Sequence, residues 1–107
     1  IIDEIAVVVG NVDAYLNPIP SEFGLNNAYP NPFNPITNLD LALNEEGMVN
    51  MSVFNIRGQV VEVLVNQNMK AGYHNITWNA DGMSSGMYFV KVESGANTAI
   101  QKLMLLK

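Results

Sequence analysis

Met87-Tyr88-Phe89-Val90-Lys91-Val92-Glu93, then Ser94-Gly95-Ala96-Asn97, then Thr98-Ala99-Ile100-Gln101-Lys102-Leu103-Met104-Leu105-Leu106, decides the fold. The side-chain period is two. Tyr88, Val90 and Val92 fall on one face of the first arm, with Phe89 and Lys91 on the other, as a half-buried strand requires. The glycine-containing loop turns the chain. The return arm sets Ile100, Lys102 and Met104 opposite Ala99, Gln101, Leu103 and Leu105. Two such arms make an antiparallel hairpin.

The same period extends upstream. Leu39, Leu41 and Leu43 alternate with Asn38, Asp40 and Ala42, and Asn44-Glu45-Glu46-Gly47 turns the chain. Val49, Met51 and Val53 alternate with Asn50, Ser52 and Phe54, and Arg57-Gly58 closes that strand. Residues 59–65 form a near-continuous apolar strand, and residues 66–72 are expected as a loop. His74, Ile76 and Trp78 alternate next, ahead of a turn at Asn79-Ala80-Asp81-Gly82. No segment of helical length spaces its apolar residues at i, i+3, i+4. The pattern predicts an all-β chain, an immunoglobulin-like antiparallel β-sandwich of about seven short strands. The Cys-Trp-Cys core of antibody domains is missing, so the expectation concerns architecture alone.

Ahead of the strands stands Tyr29-Pro30-Asn31-Pro32-Phe33-Asn34-Pro35. Its three prolines fix φ and push each preceding residue toward extended geometry. Asn31 and Asn34 favour turns by bonding the local backbone. Tyr29 and Phe33 are the large groups that such a stiff bend could drive into a core. The stretch is expected to be an entry clamp.

All five prolines lie at or before Pro35. This punctuation suggests a leading strand in residues 1–12 (Ile5-Ala6-Val7-Val8-Val9), expected as the end of an upstream cargo domain and in need of an edge to pair with. Residues 13–25 follow as a linker, and residues 26–107 as the folded domain. The chain starts at Ile1 without an initiator methionine, which is expected of a fragment or a processed product.

The 107 residues carry a net charge of −5, and Asp3, Glu4, Asp13 and Glu22 precede Leu25 with no base among them. That balance argues against nucleic acid, which needs clustered Lys and Arg. No apolar run approaches the roughly 18 residues of a membrane span. With no cysteine there is no disulfide framework and no thiolate chemistry.

The residues assemble no catalytic set and call for no cofactor or metal. His74 is the sole histidine, too few for the multi-histidine zinc sites of enzymes. Glu45-Glu46 are neighbours in a turn, where carboxylates are solvated. Asp3, Glu4 and Asp13 lack the spacing of a calcium loop. Ser84-Ser85-Gly86 lacks the nucleophile elbow and its partners. Trp78 and Tyr88 are expected as core aromatics whose polar atoms find a local partner.

Five blocks then carry a resemblance. Tyr29-Pro30-Asn31-Pro32-Phe33-Asn34-Pro35-Ile36-Thr37 resembles the opening motif of the type A C-terminal sorting domains of the type IX (Por) secretion system. Val53-Phe54-Asn55-Ile56-Arg57-Gly58-Gln59-Val60-Val61 resembles the second, and Gly72-Tyr73-His74-Asn75-Ile76-Thr77-Trp78 the third. Ser85-Gly86-Met87-Tyr88-Phe89-Val90-Lys91-Val92 is similar to the fourth, and Gln101-Lys102-Leu103-Met104-Leu105-Leu106-Lys107 to the basic, apolar ending. The chain departs from the pattern in a shortened loop at 79–85 and in Phe54 where Tyr is common.

The resemblance implies a non-catalytic signal, found in the Bacteroidetes and related phyla, that directs a larger protein through the periplasm and the outer-membrane translocon to the cell surface. It implies as partners the translocon, a sortase-like surface protease and an upstream cargo domain, with cleavage somewhere in residues 13–25. Recognition is expected near Lys102, Leu103, Leu105, Leu106 and Lys107, with an edge hairpin offering unpaired backbone for β-strand addition. Removing residues 103–107 is expected to trap cargo in the periplasm. Tyr29, Pro30, Asn31, Pro32, Phe33, Asn34, Pro35, Gly58, Gly86 and Tyr88 are expected to serve structure. Two other classes compete. One is an immunoglobulin-like accessory module gripping polysaccharide or protein through an exposed aromatic platform of Trp78, Tyr73 and Phe54. The other is a structural module resembling the immunoglobulin-like domain of flagellar hook-capping proteins.

Overall fold

A computed structural model describes residues 19–107. Within them are seven strands and no helix: β1 Gly24–Leu25, β2 Ile36–Leu43, β3 Gly47–Phe54, β4 Val60–Met69, β5 Gly72–Asn79, β6 Gly86–Ser94 and β7 Asn97–Leu105. They form two antiparallel sheets, β1-β2-β5 and β4-β3-β6-β7. This is the three-on-four arrangement of an immunoglobulin-like sandwich.

The period-two pattern becomes the core. Leu39, Leu41 and Leu43 from β2 meet Val49, Met51 and Val53 from β3, Val90 and Val92 from β6, and Leu103 and Leu105 from β7. All are essentially excluded from water. Each such side chain contributes roughly 1.5–3 kcal/mol of transfer free energy, so the facing stripes bind the sheets together. The β6–β7 hairpin closes through Gly95 at φ +60°, with Ser94 paired to Asn97. A positive φ at the first central position alone is the II′ pattern, which suits the strand twist.

The stretch 66–72, expected as a loop, is mostly strand: Asn50 pairs with Asn66, Val49 with Gln67 and Met48 with Asn68. The polar run Asn66-Gln67-Asn68 is compatible with pairing because β4 is an edge strand, where side chains meet solvent. The asparagine and glutamine side chains are depleted in buried strands for lack of partners, a constraint that water removes here. Two register shifts in β4 leave Val61 and Leu64 as extra residues, and both pack against the core.

Gly24 and Leu25, within the stretch read as linker, pair with Ala42 and Leu41 of β2. The leading strand expected over residues 5–9 and the linker as far as residue 18 lie outside the described residues.

Candidate functional site

The terminal strand and the proline-rich stretch form one unit. Residue 33 is joined to β7: Phe33 N donates to Met104 O at 2.9 Å, and Leu106 N donates to Phe33 O at 3.0 Å. Asn31 adds two bonds to the same edge. Its Nδ2 donates to Lys102 O at 2.9 Å, and its Oδ1 accepts from Met104 N at 3.0 Å. On the other side the stretch holds β2. Tyr29 and Asn38 exchange backbone bonds, and buried Thr37 donates from Oγ1 to Pro30 O at 2.8 Å. The clamp therefore ties the edge strand of one sheet to the neighbouring sheet and closes that side of the sandwich.

Its anchor is Phe33. That side chain is 2% exposed, and its ring lies 5.5 Å from that of Trp78, which in turn stands 5.4 Å from Tyr88 in an edge-on arrangement. Tilted and edge-on contacts add about 0.5–1.5 kcal/mol each to simple burial. The polar atoms are satisfied, since Tyr88 OH donates to Ser84 O at 2.7 Å and Trp78 Nε1 donates to Glu62 Oε1 at 3.3 Å. Tyr29 differs from the expectation that it enters the core: it is 49% exposed and lies on the outer face of the three-stranded sheet. Its phenol has polar partners there in Asp40 (3.4 Å) and Asn75 (3.2 Å), so solvent-side hydrogen bonding wins over burial. Partial desolvation pushes the phenol above its ordinary pKa, helped by the hydrogen bond and charge of Asp40 and opposed by Asn75.

The five residues of the ending divide by face. Leu103 and Leu105 are buried in the core, whereas Lys102, Leu106 and Lys107 are exposed. β7 is an edge strand, yet its outward backbone is not bare at this end. Lys102 O, Met104 N, Met104 O and Leu106 N are already taken by Asn31 and Phe33. That clamp was visible in the sequence as a stiff loop, but its partner strand was not, because it lies some seventy residues downstream. Removing residues 103–107 would take two core leucines and the end of β7 with them, so such a truncation damages the core as well as erasing the ending.

Gly58 lies in the β3–β4 turn and Gly86 opens β6. Gly58 has φ +81° in the β3–β4 turn and donates from N to Asn55 O at 3.0 Å, while Asn55 Oδ1 accepts from the backbone of Arg57 and Gln59. A side chain at that φ would be strained. Pro30, Pro32 and Asn34 are exposed, and Pro35 O accepts from Ala80 N at 2.9 Å.

The three aromatics proposed as a platform do not come together. Trp78 is buried, Tyr73 lies on the outer face of one sheet, and Phe54 lies on that of the other. His74 is a half-buried strand residue whose Nε2 lies 2.7 Å from Lys70 O. Among the described residues no group of three His, Cys, Asp or Glu side chains is placed to hold a metal ion.

The family model described as "Secretion system C-terminal sorting domain" matches residues 27–106. The chain belongs to that family. The matched span opens just ahead of the clamp and closes one residue past β7, so it takes in both halves of the unit described above. Membership makes this a sorting signal of type IX secretion, a family not known for catalysis. The sorting domain marks proteins that are exported to the cell surface or secreted. No curated protein matches the chain.

Proposed function

We propose that the outer-membrane translocon of the type IX system reads this sorting domain through the exposed side chains of its last strand, and that a sortase-like surface protease then separates it from an upstream cargo domain by cutting within residues 13–25. The observation that carries the reading is the division of the ending. Lys102, Leu106 and Lys107 reach solvent, while Leu103 and Leu105 hold the same strand in the core. A receptor meeting the folded domain therefore finds two ammonium groups around an exposed leucine. With the backbone beside them already bonded to the clamp, side-chain readout takes precedence over strand addition.

The test uses substitutions that leave the core intact. The full chain is placed behind a periplasmic reporter in a host carrying the system, with Lys102→Glu, Leu106→Ser and Lys107→Glu combined. Surface display of the parent fusion and its loss in the triple variant, with an unchanged melting midpoint, are expected. Undiminished display of a folded triple variant would overturn the assignment. Mass spectrometry of the released reporter locates the cut, and a new terminus outside residues 13–25 would overturn that part.

A further inference from the structure

The outer face of the four-stranded sheet differs from that of the three-stranded sheet at its Phe54 end. On the three-stranded sheet polar side chains bond to one another: Asn75 Nδ2 donates to Asp40 Oδ1 at 2.7 Å, and Thr77 Oγ1 donates to Asn38 Oδ1 at 2.9 Å. On the four-stranded sheet the register sets apolar groups side by side. One row across it runs Val60, Phe54, Phe89 and Lys102, and the next runs Val63, Ser52, Lys91 and Ile100. On the other side of the first row, Met87 stands opposite Met104. Val60 and Val63 are each 53% exposed and Ile100 is 65% exposed, while Phe54 and Phe89 are half-buried among them. Leu106 continues the outward column of β7. The next row, Asn66, Asn50, Glu93 and Thr98, is polar, so the apolar groups gather at the Phe54 end of the face. Scattered apolar residues are normal on a protein surface, but a patch that reaches across all four strands marks an interaction site.

Charge narrows the occupant. Lys91 and Lys102 stand inside the patch, and Arg57 and Lys107 lie beyond its Phe54 end. The carboxylates on this face lie toward its Met48 end: Glu93 is 3.8 Å from Lys91, and Glu46 accepts from Asn68 Nδ2 at 3.1 Å. The other acids of the described strands and turns lie elsewhere. Asp40 is on the outer face of the other sheet, Glu45 and Asp81 are in the β2–β3 and β5–β6 turns, and Glu62 accepts from the Trp78 indole. A second copy laid patch on patch would bring the Lys102, Arg57 and Lys107 ends together, which disfavours a symmetric pair. A partner with an apolar surface edged by carboxylates satisfies both features.

We propose that the outer face of the four-stranded sheet, from Val60 and Val63 on β4 to Ile100 and Lys102 on β7, docks on a protein of the export machinery whose surface is apolar and edged with carboxylates. The proposal rests on the sorting reading above and enlarges it: the recognised surface crosses the sheet rather than ending at the last strand. Val63 separates the two ideas, because three strand spacings, about 14 Å in all, set β4 apart from β7.

The full chain behind a periplasmic reporter is compared with Val63→Glu, Ile100→Glu, Lys102→Glu and, on the other sheet, Tyr73→Glu. All four positions are exposed, and melting midpoints check that the variants fold. Val63→Glu and Ile100→Glu are expected to lower surface display by about tenfold or more, and Tyr73→Glu by less than about twofold. Lys102→Glu lowers display and Lys102→Arg keeps it. If Val63→Glu displays like the parent while the parent is exported, the docking face is wrong and the sorting reading survives. If Val63→Glu fails to fold, the comparison passes to Val63→Thr, for which a fall in display supports the face and parent-like display overturns it. A parent fusion that stays in the periplasm overturns both readings. Self-association of the purified chain abolished by Ile100→Glu would assign the face to a second copy. Binding to phosphatidylglycerol vesicles abolished by the same change would assign it to a membrane. Either result overturns the proposal.

Discussion

Replacing Phe33 with alanine tests whether the clamp is held by one side chain. Phe33 is sealed from water, touches Trp78, and is bonded through its backbone to Met104 and Leu106, on either side of Leu105. Truncation leaves those backbone bonds possible but removes the ring. A buried Phe→Ala change costs about 3–5 kcal/mol, made up of lost transfer free energy and an unfilled cavity. A domain of this size holds only about 4–12 kcal/mol in total, so the variant is left marginal. Since each kcal/mol moves the midpoint of such a domain by about 4–8 °C, a fall of roughly 12 °C or more is expected. Urea unfolding followed by Trp78 fluorescence reads it directly, because the ring lost is the indole's neighbour. Tyr29→Ala, in the same clamp but outside the core, serves as the comparison and should cost about 1 kcal/mol or less. A Phe33→Ala loss below about 1 kcal/mol, or a Tyr29→Ala loss equal to it, would refute the assignment of the anchor.

Three further outcomes follow from the geometry. Asn31→Ala removes two bonds to the edge of β7 and should cost about 1–2 kcal/mol, with faster hydrogen exchange at the Met104 amide; unchanged exchange there would contradict the pairing. Leu105→Ala, in the core and beside Phe33, should lose about 2–5 kcal/mol, whereas Leu106→Ala should stay within about 0.5 kcal/mol of the parent, and calorimetry separates them. The Tyr29 phenol has a folded pKa above its unfolded value, so its contribution is intact below the ordinary tyrosine pKa and is lost as pH rises through the folded one. Tyr29→Phe should therefore flatten the alkaline limb of the stability profile, and an identical limb in both proteins would refute the contact with Asp40.

The hairpin at 87–106 was legible because alternation and a glycine turn are local signals, and Tyr88, Val90 and Val92, set on one face by that alternation, all line the core. The leucine and valine stripes of β2 and β3 were legible for the same reason. The extension of β4 through Asn66-Gln67-Asn68 was not, since polar side chains reveal nothing about a backbone that pairs on one side and meets water on the other. Nor could composition separate Tyr29 from Phe33. Both are aromatic residues beside prolines, and only the tertiary positions of Asp40, Asn75 and Trp78 decide which one is buried. The candidate site was half legible: motif order marked the ending, but the split between Leu103 and Lys102 acquires meaning once the strand has a core behind it and a clamp along its edge.

The most direct measurement is the fraction of a periplasmic reporter, fused ahead of this chain, that external protease can reach in a host with an intact type IX translocon and in the same host lacking it. The account predicts that most of the reporter is accessible in the first host and almost none in the second. Equal accessibility in the two hosts, or a reporter retained in both, would contradict it.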